Sequence, residues 1–182
     1  MTKRAVIAVD IQNDYFEGGK FPLDGMDKAA ANARRVIDAA RDRGDLVVDV
    51  RHEFADETAP FFHPGSEGAR INAAVPPAEG EAVITKNAVN AFKDTDLKAT
   101  LDDAGVDEVV IVGAMSHMCI DAATRAASDM GYKTTVVHDA CATRALEFGG
   151  KTVPADQVHA AMMSGLACGY ADVVAADDWL RG

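Results

Sequence analysis

Asp10, Lys86 and Cys119 each close or follow an apolar run rich in β-branched residues: "RAVIAVD" (4–10), "EAVITK" (81–86) and "EVVIVG" (108–113), the last leading into "AMSHMC". A carboxylate, an ammonium and a thiol are the parts of a covalent hydrolase. A thiol at the mouth of a helix feels the partial positive charge of free N–H groups, which favours the thiolate. A neighbouring lysine pushes the same way. An aspartate can take the thiol proton and later deliver it to a leaving amine. The N–H of Cys119, with another from the preceding turn, can form an oxyanion hole. Taken singly, each residue also has an ordinary reading: a turn-forming aspartate, a solvent-reaching lysine, a packed cysteine. Their shared position at strand ends is what sets them apart.

That position depends on the elements around them. "RAVIAVD" reads as a strand buried on both faces. Helical spacing over 25–43 stops at Gly44, and "LVVDVR" (46–51) reads as the next strand. An irregular stretch over about 52–80 holds four prolines, Pro60, Pro64, Pro76 and Pro77, and a loop of that length is usually functional. Strands are predicted over 81–86, 108–113, 133–139 and 171–177, and helices over 95–105, 118–131 and 154–168. This alternation predicts an α/β fold, a mostly parallel doubly wound sheet with helices on both faces, as a single domain over 1–182. Such sheets bind ligands beyond the carboxyl ends of their strands, near a switch in strand order. If the first and fourth runs are sheet neighbours, Asp10, Lys86 and Cys119 can meet.

Composition narrows the partners. Eighteen basic and 29 acidic residues give a net charge of −11 without a basic cluster, which argues against nucleic acid and against anionic membranes. No apolar run reaches the roughly 20 residues that span a bilayer. The short run after "MTKR" reads as a strand and not a signal peptide. Three widely spaced cysteines, Cys119, Cys141 and Cys168, lack a C-x-x-C pair, so neither a disulfide framework nor a zinc knuckle is expected. A reducing cytoplasm is the expected compartment. Cys141 and Cys168 read as structural.

Several motifs then carry a family resemblance. "VDIQNDYFEGG" (9–19) resembles the D-x-Q-N-D-F opening of the isochorismatase-like cysteine hydrolases. "VITKNAVNAF" (83–92) resembles their lysine strand, "VVIVGAMSHMCIDAATRAA" (109–127) their nucleophile turn and helix, and "TVVHDACAT" (135–143) the strand after it. The resemblance implies a Rossmann-like three-layer α/β/α fold and an Asp–Lys–Cys triad at Asp10, Lys86 and Cys119. It also implies hydrolysis of an amide, carbamoyl or ureido C–N bond in a small metabolite through a thioester-type intermediate, without a cofactor. A non-proline cis peptide would fall at Ala114–Met115, with the oxyanion hole made by the N–H groups of Met115 and Cys119.

Nicotinamidases of the family hold zinc with an Asp-x-His pair after the second strand. Here those positions are His52 and Phe54, so no metal is expected, although His52, Glu53 and His63 lie close in sequence. His52 is expected to line the pocket as a hydrogen-bonding group, with Tyr15, Phe16 and Phe92 as apolar walls. "GGKT" (149–152) lacks the leading glycine of a phosphate loop, Ala145 standing in its place, and reads as a plain loop. "FFHPG" (61–65) puts adjacent phenylalanines on the irregular stretch, which points to cover of one of them by a partner subunit. Family members commonly pair, so a homo-oligomer, a dimer at least, is expected. Two rival readings are a vinyl-ether hydrolase of the isochorismatase type, whose members commonly carry glycine at the cysteine position, and a silent binding protein that keeps the fold.

Overall fold

The computed structural model describes residues 3–56 and 58–182. Its centre is a six-stranded sheet built from β1 (Arg4–Val9), β2 (Leu46–His52), β3 (Ala82–Lys86), β4 (Glu108–Ala114), β5 (Lys133–Ala142) and, after a two-stranded hairpin described below, β8 (Asp172–Val174). The order is β3-β2-β1-β4-β5-β8, and every neighbouring pair is parallel.

Successive side chains of a strand face opposite sides, so the two faces collect different cores. Val6, Ala8, Val110 and Val112 face α1 (Met26–Arg43), which presents Ala29, Ala33, Val36, Ile37 and Ala40 at helical spacing. Ile7, Val9, Val109 and Ile111 face the other side, where they meet Leu97 and Leu101 of α2 (Leu97–Asp103), Ala123 and Ala127 of α3 (Asp121–Asp129), and Met163 and Leu166 of α4 (Ala155–Ala167). Burial on both faces is why β1 and β4 are unbroken apolar runs. The three-layer α/β/α arrangement agrees with the fold predicted from the sequence.

Two local readings are corrected. Residues 146–153 are not a plain loop but an antiparallel hairpin of β6 (Leu146–Phe148) and β7 (Lys151–Val153). Its turn is Gly149–Gly150, both at positive φ (58° and 76°), the conformation a two-residue hairpin turn needs and glycine adopts freely. The last predicted strand ends at Val174, and a short helix, α5 (Ala176–Arg181), takes over. Among the described residues, no helix is long and apolar enough to cross a membrane.

Candidate active site

The strand order reverses at β1. From it the chain steps outward to β2 and β3, then returns to build β4 on its other side. The crevice at that switch is where Asp10 follows β1 and Cys119 follows β4, so the adjacency that the sequence left conditional is present. The approach there is tight. Val9 pairs with Gly113, and a Cβ added to Gly113 (φ 126°) would stand 1.9 Å from the Val9 carbonyl oxygen. Only glycine fits. Asp10 itself sits at φ 54°, a left-handed conformation that aspartate tolerates better than most residues.

Lys86 comes from β3, two strands from β1, a gap of roughly 10 Å at the usual strand spacing. Its side chain crosses the end of β2 and centres the cluster. Lys86 Nζ lies 2.8 Å from Asp10 Oδ2, 3.2 Å from Cys119 Sγ, 2.9 Å from His52 Nδ1 and 3.1 Å from the Ala88 carbonyl oxygen. Asp10, Lys86, His52 and Cys119 are all buried, the first two completely. The Asp10 contact is an ion pair without aligned hydrogen-bond geometry, and neither Asp10 oxygen has a directional partner among the described residues.

These surroundings set the proton positions. Burial disfavours the Lys86 ammonium, but the Asp10 charge, with the close contacts to Asp10 and Cys119, outweighs it, so the pKa rises and the lysine stays protonated. For Cys119 burial dominates, Asp10 adds to it, and Lys86 only partly opposes, so the thiol is pushed well above its ordinary range. The resting site therefore holds a thiol, not the thiolate expected from a helix start. Cys119 lies inside a π-helical turn, Ser116–Ile120, before α3 begins at Asp121. The Ala114–Met115 peptide is cis, at the position the resemblance implied. The Met115 carbonyl accepts the N–H groups of Met118 (3.0 Å) and Ile120 (3.2 Å), whereas the Met115 N–H has no partner among the described residues.

Of the expected pocket residues, His52 joins the cluster directly. Tyr15 is buried, and burial first and then the Asp10 charge raise the pKa of its hydroxyl. Phe92 shares a core cluster with Cys119 and stacks on Tyr132. Phe16 is half-buried and lines a surface cavity with Asn13, Glu17, Lys20, Glu67 and Asn72, a lining that contains neither Asp10, Lys86 nor Cys119. Among the described residues no group of three or more His, Cys, Asp or Glu side chains converges as a metal site.

Three supporting residues escaped the sequence reading. Gln12, fully buried, donates to the His52 carbonyl and accepts the His52 N–H, both at 2.8 Å, and so fixes the end of β2. Asp14 accepts the Phe62 N–H at 2.8 Å and ties the 52–80 loop to the segment after β1. Ser116 Oγ lies 2.8 Å from His159 Nδ1 of α4, a contact that steadies the turn that carries Cys119. Gln12 and Asp14 stand in the "DIQND" stretch, whose polarity beside a buried strand was the available signal.

A parallel α/β sheet with a carboxylate, an ammonium and a thiol gathered at its switch point defines a class of hydrolase folds. The family model described as the Isochorismatase domain matches residues 4–177, and the chain belongs to that family of hydrolases. It is 45% identical to the isochorismatase family protein YddQ of Bacillus subtilis, covering 97% of this chain and 98% of that one. It is 31% identical to the maleamate amidohydrolase of Pseudomonas putida, covering 98% and 86%. A solved structure from Oleispira antarctica, titled as an isochorismatase hydrolase, superposes with a TM-score of 0.96 at 55% identity, covering 100% of this chain and 97% of that one.

Proposed function

We propose that the protein is a cysteine hydrolase that cleaves an amide-type C–N bond, in an amide, carbamoyl or ureido group of a small metabolite. The observation that carries this reading is that one buried ammonium, Lys86 Nζ, contacts both the Asp10 carboxylate and the Cys119 sulfur, at 2.8 and 3.2 Å. The amidohydrolase activity named for the Pseudomonas relative supports it.

In this reading Cys119 Sγ attacks the substrate carbonyl carbon as its proton passes to Asp10. The raised thiol pKa makes that transfer part of the attack and not a prior step. Charge on the carbonyl oxygen is received by the N–H groups of Met115 and Cys119. The C–N bond breaks as Asp10 returns the proton to the leaving nitrogen, which leaves a thioester. Asp10 then takes a proton from water, the hydroxide equivalent attacks the thioester, and the acid product departs as the sulfur regains its proton. Lys86 offsets charge on Asp10 and on the sulfur throughout. Tyr15 and Phe92 are assigned as walls of the substrate pocket, and Phe16, which lines a separate surface cavity, is not. The working form is taken to be a homo-oligomer.

The test is ammonia release over a panel of small primary amides and ureido compounds, with wild type and Cys119→Ala. Loss of more than a thousandfold in kcat/KM for the variant, with unchanged circular dichroism, is expected. Activity within tenfold of wild type would remove the covalent mechanism and favour vinyl-ether hydrolysis by acid chemistry at Asp10.

A further inference from the structure

An ammonium has three protons, and Lys86 Nζ has four groups around it: Asp10 Oδ2, His52 Nδ1, the Ala88 carbonyl oxygen and Cys119 Sγ. Nδ1 of His52, at 2.9 Å, can face this donor only through its lone pair. Burial, reinforced by the Lys86 charge, lowers the imidazole pKa against the Asp10 charge and the Ala88 carbonyl, and so favours the neutral ring. A neutral ring with a lone pair on Nδ1 carries its proton on Nε2. The ring has little freedom to do otherwise. Gln12 clamps its backbone through two 2.8 Å hydrogen bonds, and Phe54 meets its edge with ring centroids 4.4 Å apart.

Nε2 is buried and has no partner among the described residues. An N–H left unpaired in a dry interior costs about 1–3 kcal/mol, and native proteins keep few of them. This one belongs to the residue that touches the catalytic lysine. Its neutrality also defines what it receives. The cluster's cation is already paired with Asp10, so a second carboxylate would enter a desolvated site without a counter-charge and beside a like charge. An uncharged acceptor meets no such penalty.

We propose that the His52 Nε2–H is a specificity donor that selects substrates carrying a second, uncharged hydrogen-bond acceptor, a carbonyl oxygen or ring nitrogen, besides the scissile amide. The proposal rests on the amide-hydrolase reading of the site. A pocket built to satisfy a buried donor rejects isosteres that leave the donor unpaired. His52 thereby excludes simple aliphatic amides and amides bearing a carboxylate.

The experiment uses Cys119→Ser protein, which removes the thiol while keeping the pocket, and three matched probes. Succinamide offers a second neutral carbonyl, succinamate a carboxylate, and 4-methylpentanamide an apolar group of the same shape. Long-range 1H–15N spectra of the histidine rings report the tautomer, and titrations report binding. We expect His52 in the Nε2–H form from pH 6 to 9, a downfield shift of that proton with succinamide, and at least about tenfold tighter binding of succinamide than of the other two. His52→Gln, which keeps an N–H donor, should retain the preference, and His52→Phe should erase it. An Nδ1–H tautomer, an imidazolium, an equal response to all three probes (no response included) or tightest binding of succinamate overturns the proposal. The tautomer is read without turnover, so loss of the cysteine mechanism and loss of this inference are separate outcomes.

Discussion

Lys86 Nζ stands 2.8 Å from Asp10 Oδ2, and neither side chain touches solvent. Burying two charges costs several kcal/mol each, and a well-packed apolar pair in their place is often no less stable. The pair is therefore better explained by what its charges do to Cys119 than by stability. Removing one partner is a different matter, because it strands the other charge. Lys86→Met should destabilise the fold by about 3–5 kcal/mol. Combining it with Asp10→Asn should recover most of that loss while activity stays absent. Urea unfolding of the two single variants and the double measures the coupling directly. A double variant as unstable as Lys86→Met alone would show that the pairing is not what matters.

The thiols should not react as a helix-start thiolate would. Cys119 and Cys141 are buried, the latter pushed up to about 12 by desolvation, whereas Cys168 is exposed and not the packed residue its sequence context implied. Alkylation needs both a thiolate and access. With iodoacetamide at pH 7.5 we expect Cys168 to be modified first, Cys119 more slowly with a rate that climbs as pH rises, and Cys141 last. Peptide mass mapping over time gives the order. Fast selective labelling of Cys119 at neutral pH would mean that Lys86 wins over burial and Asp10.

The strand ends were legible in the sequence because burial on both faces of β1 and β4 forces unbroken apolar runs. A polar residue that ends such a run, as Asp10 does, is conspicuous. The meeting of Lys86 with Asp10 was only conditional, since it depends on strand order, which periodicity does not encode. The thiol's protonation could not be read at all. A helix dipole is visible in the sequence, but the desolvation that outweighs it comes from residues distant along the chain. The Phe61–Phe62 pair was misplaced for a similar reason. Its apolar cover, Tyr15 and Phe21, lies some 40 residues away and is joined to it through Asp14, whose role no local pattern displays.

Asp49, in the middle of β2, offers a pH-dependent test of stability. It is 2% exposed, its Oδ2 has no partner among the described residues, and its pKa rises to about 7, mainly through burial and then the nearby Glu81 charge, with Arg41 opposing. In the unfolded chain it titrates near 3.9. The folded state thus holds a proton that the unfolded state has released between about pH 4 and 7, so this residue's contribution to stability falls as pH rises through that window. Above pH 7 the contribution is lost, on the order of 4 kcal/mol. Asp49→Asn should therefore stabilise the protein at pH 8 and have almost no effect near pH 4. Denaturant midpoints of both proteins across pH 4–8 supply the difference. A constant difference over the whole range would show that Asp49 does not titrate there.

One of Phe61 and Phe62 was expected to be covered by a partner subunit. They are covered by their own chain: Phe62 lies 4.6 Å from Tyr15 between ring centroids, Phe61 stacks on Phe21 at 4.3 Å, and their exposures are 1% and 8%. The loop that carries them is held by the Phe62 N–H to Asp14 hydrogen bond at 2.8 Å. Truncating a buried phenylalanine typically costs about 3–5 kcal/mol, and two in contact approach the whole stability of a domain of this size. Phe61→Ser with Phe62→Ser should therefore unfold the protein or leave it molten, not yield a folded, dissociated subunit. Phe62→Leu, which keeps apolar volume and the backbone bond to Asp14, should cost only about 1–1.5 kcal/mol and leave the subunit count unchanged. Light scattering run beside near-ultraviolet circular dichroism separates these outcomes. A double serine variant that keeps its native spectrum while its mass falls would restore these phenylalanines to a subunit interface.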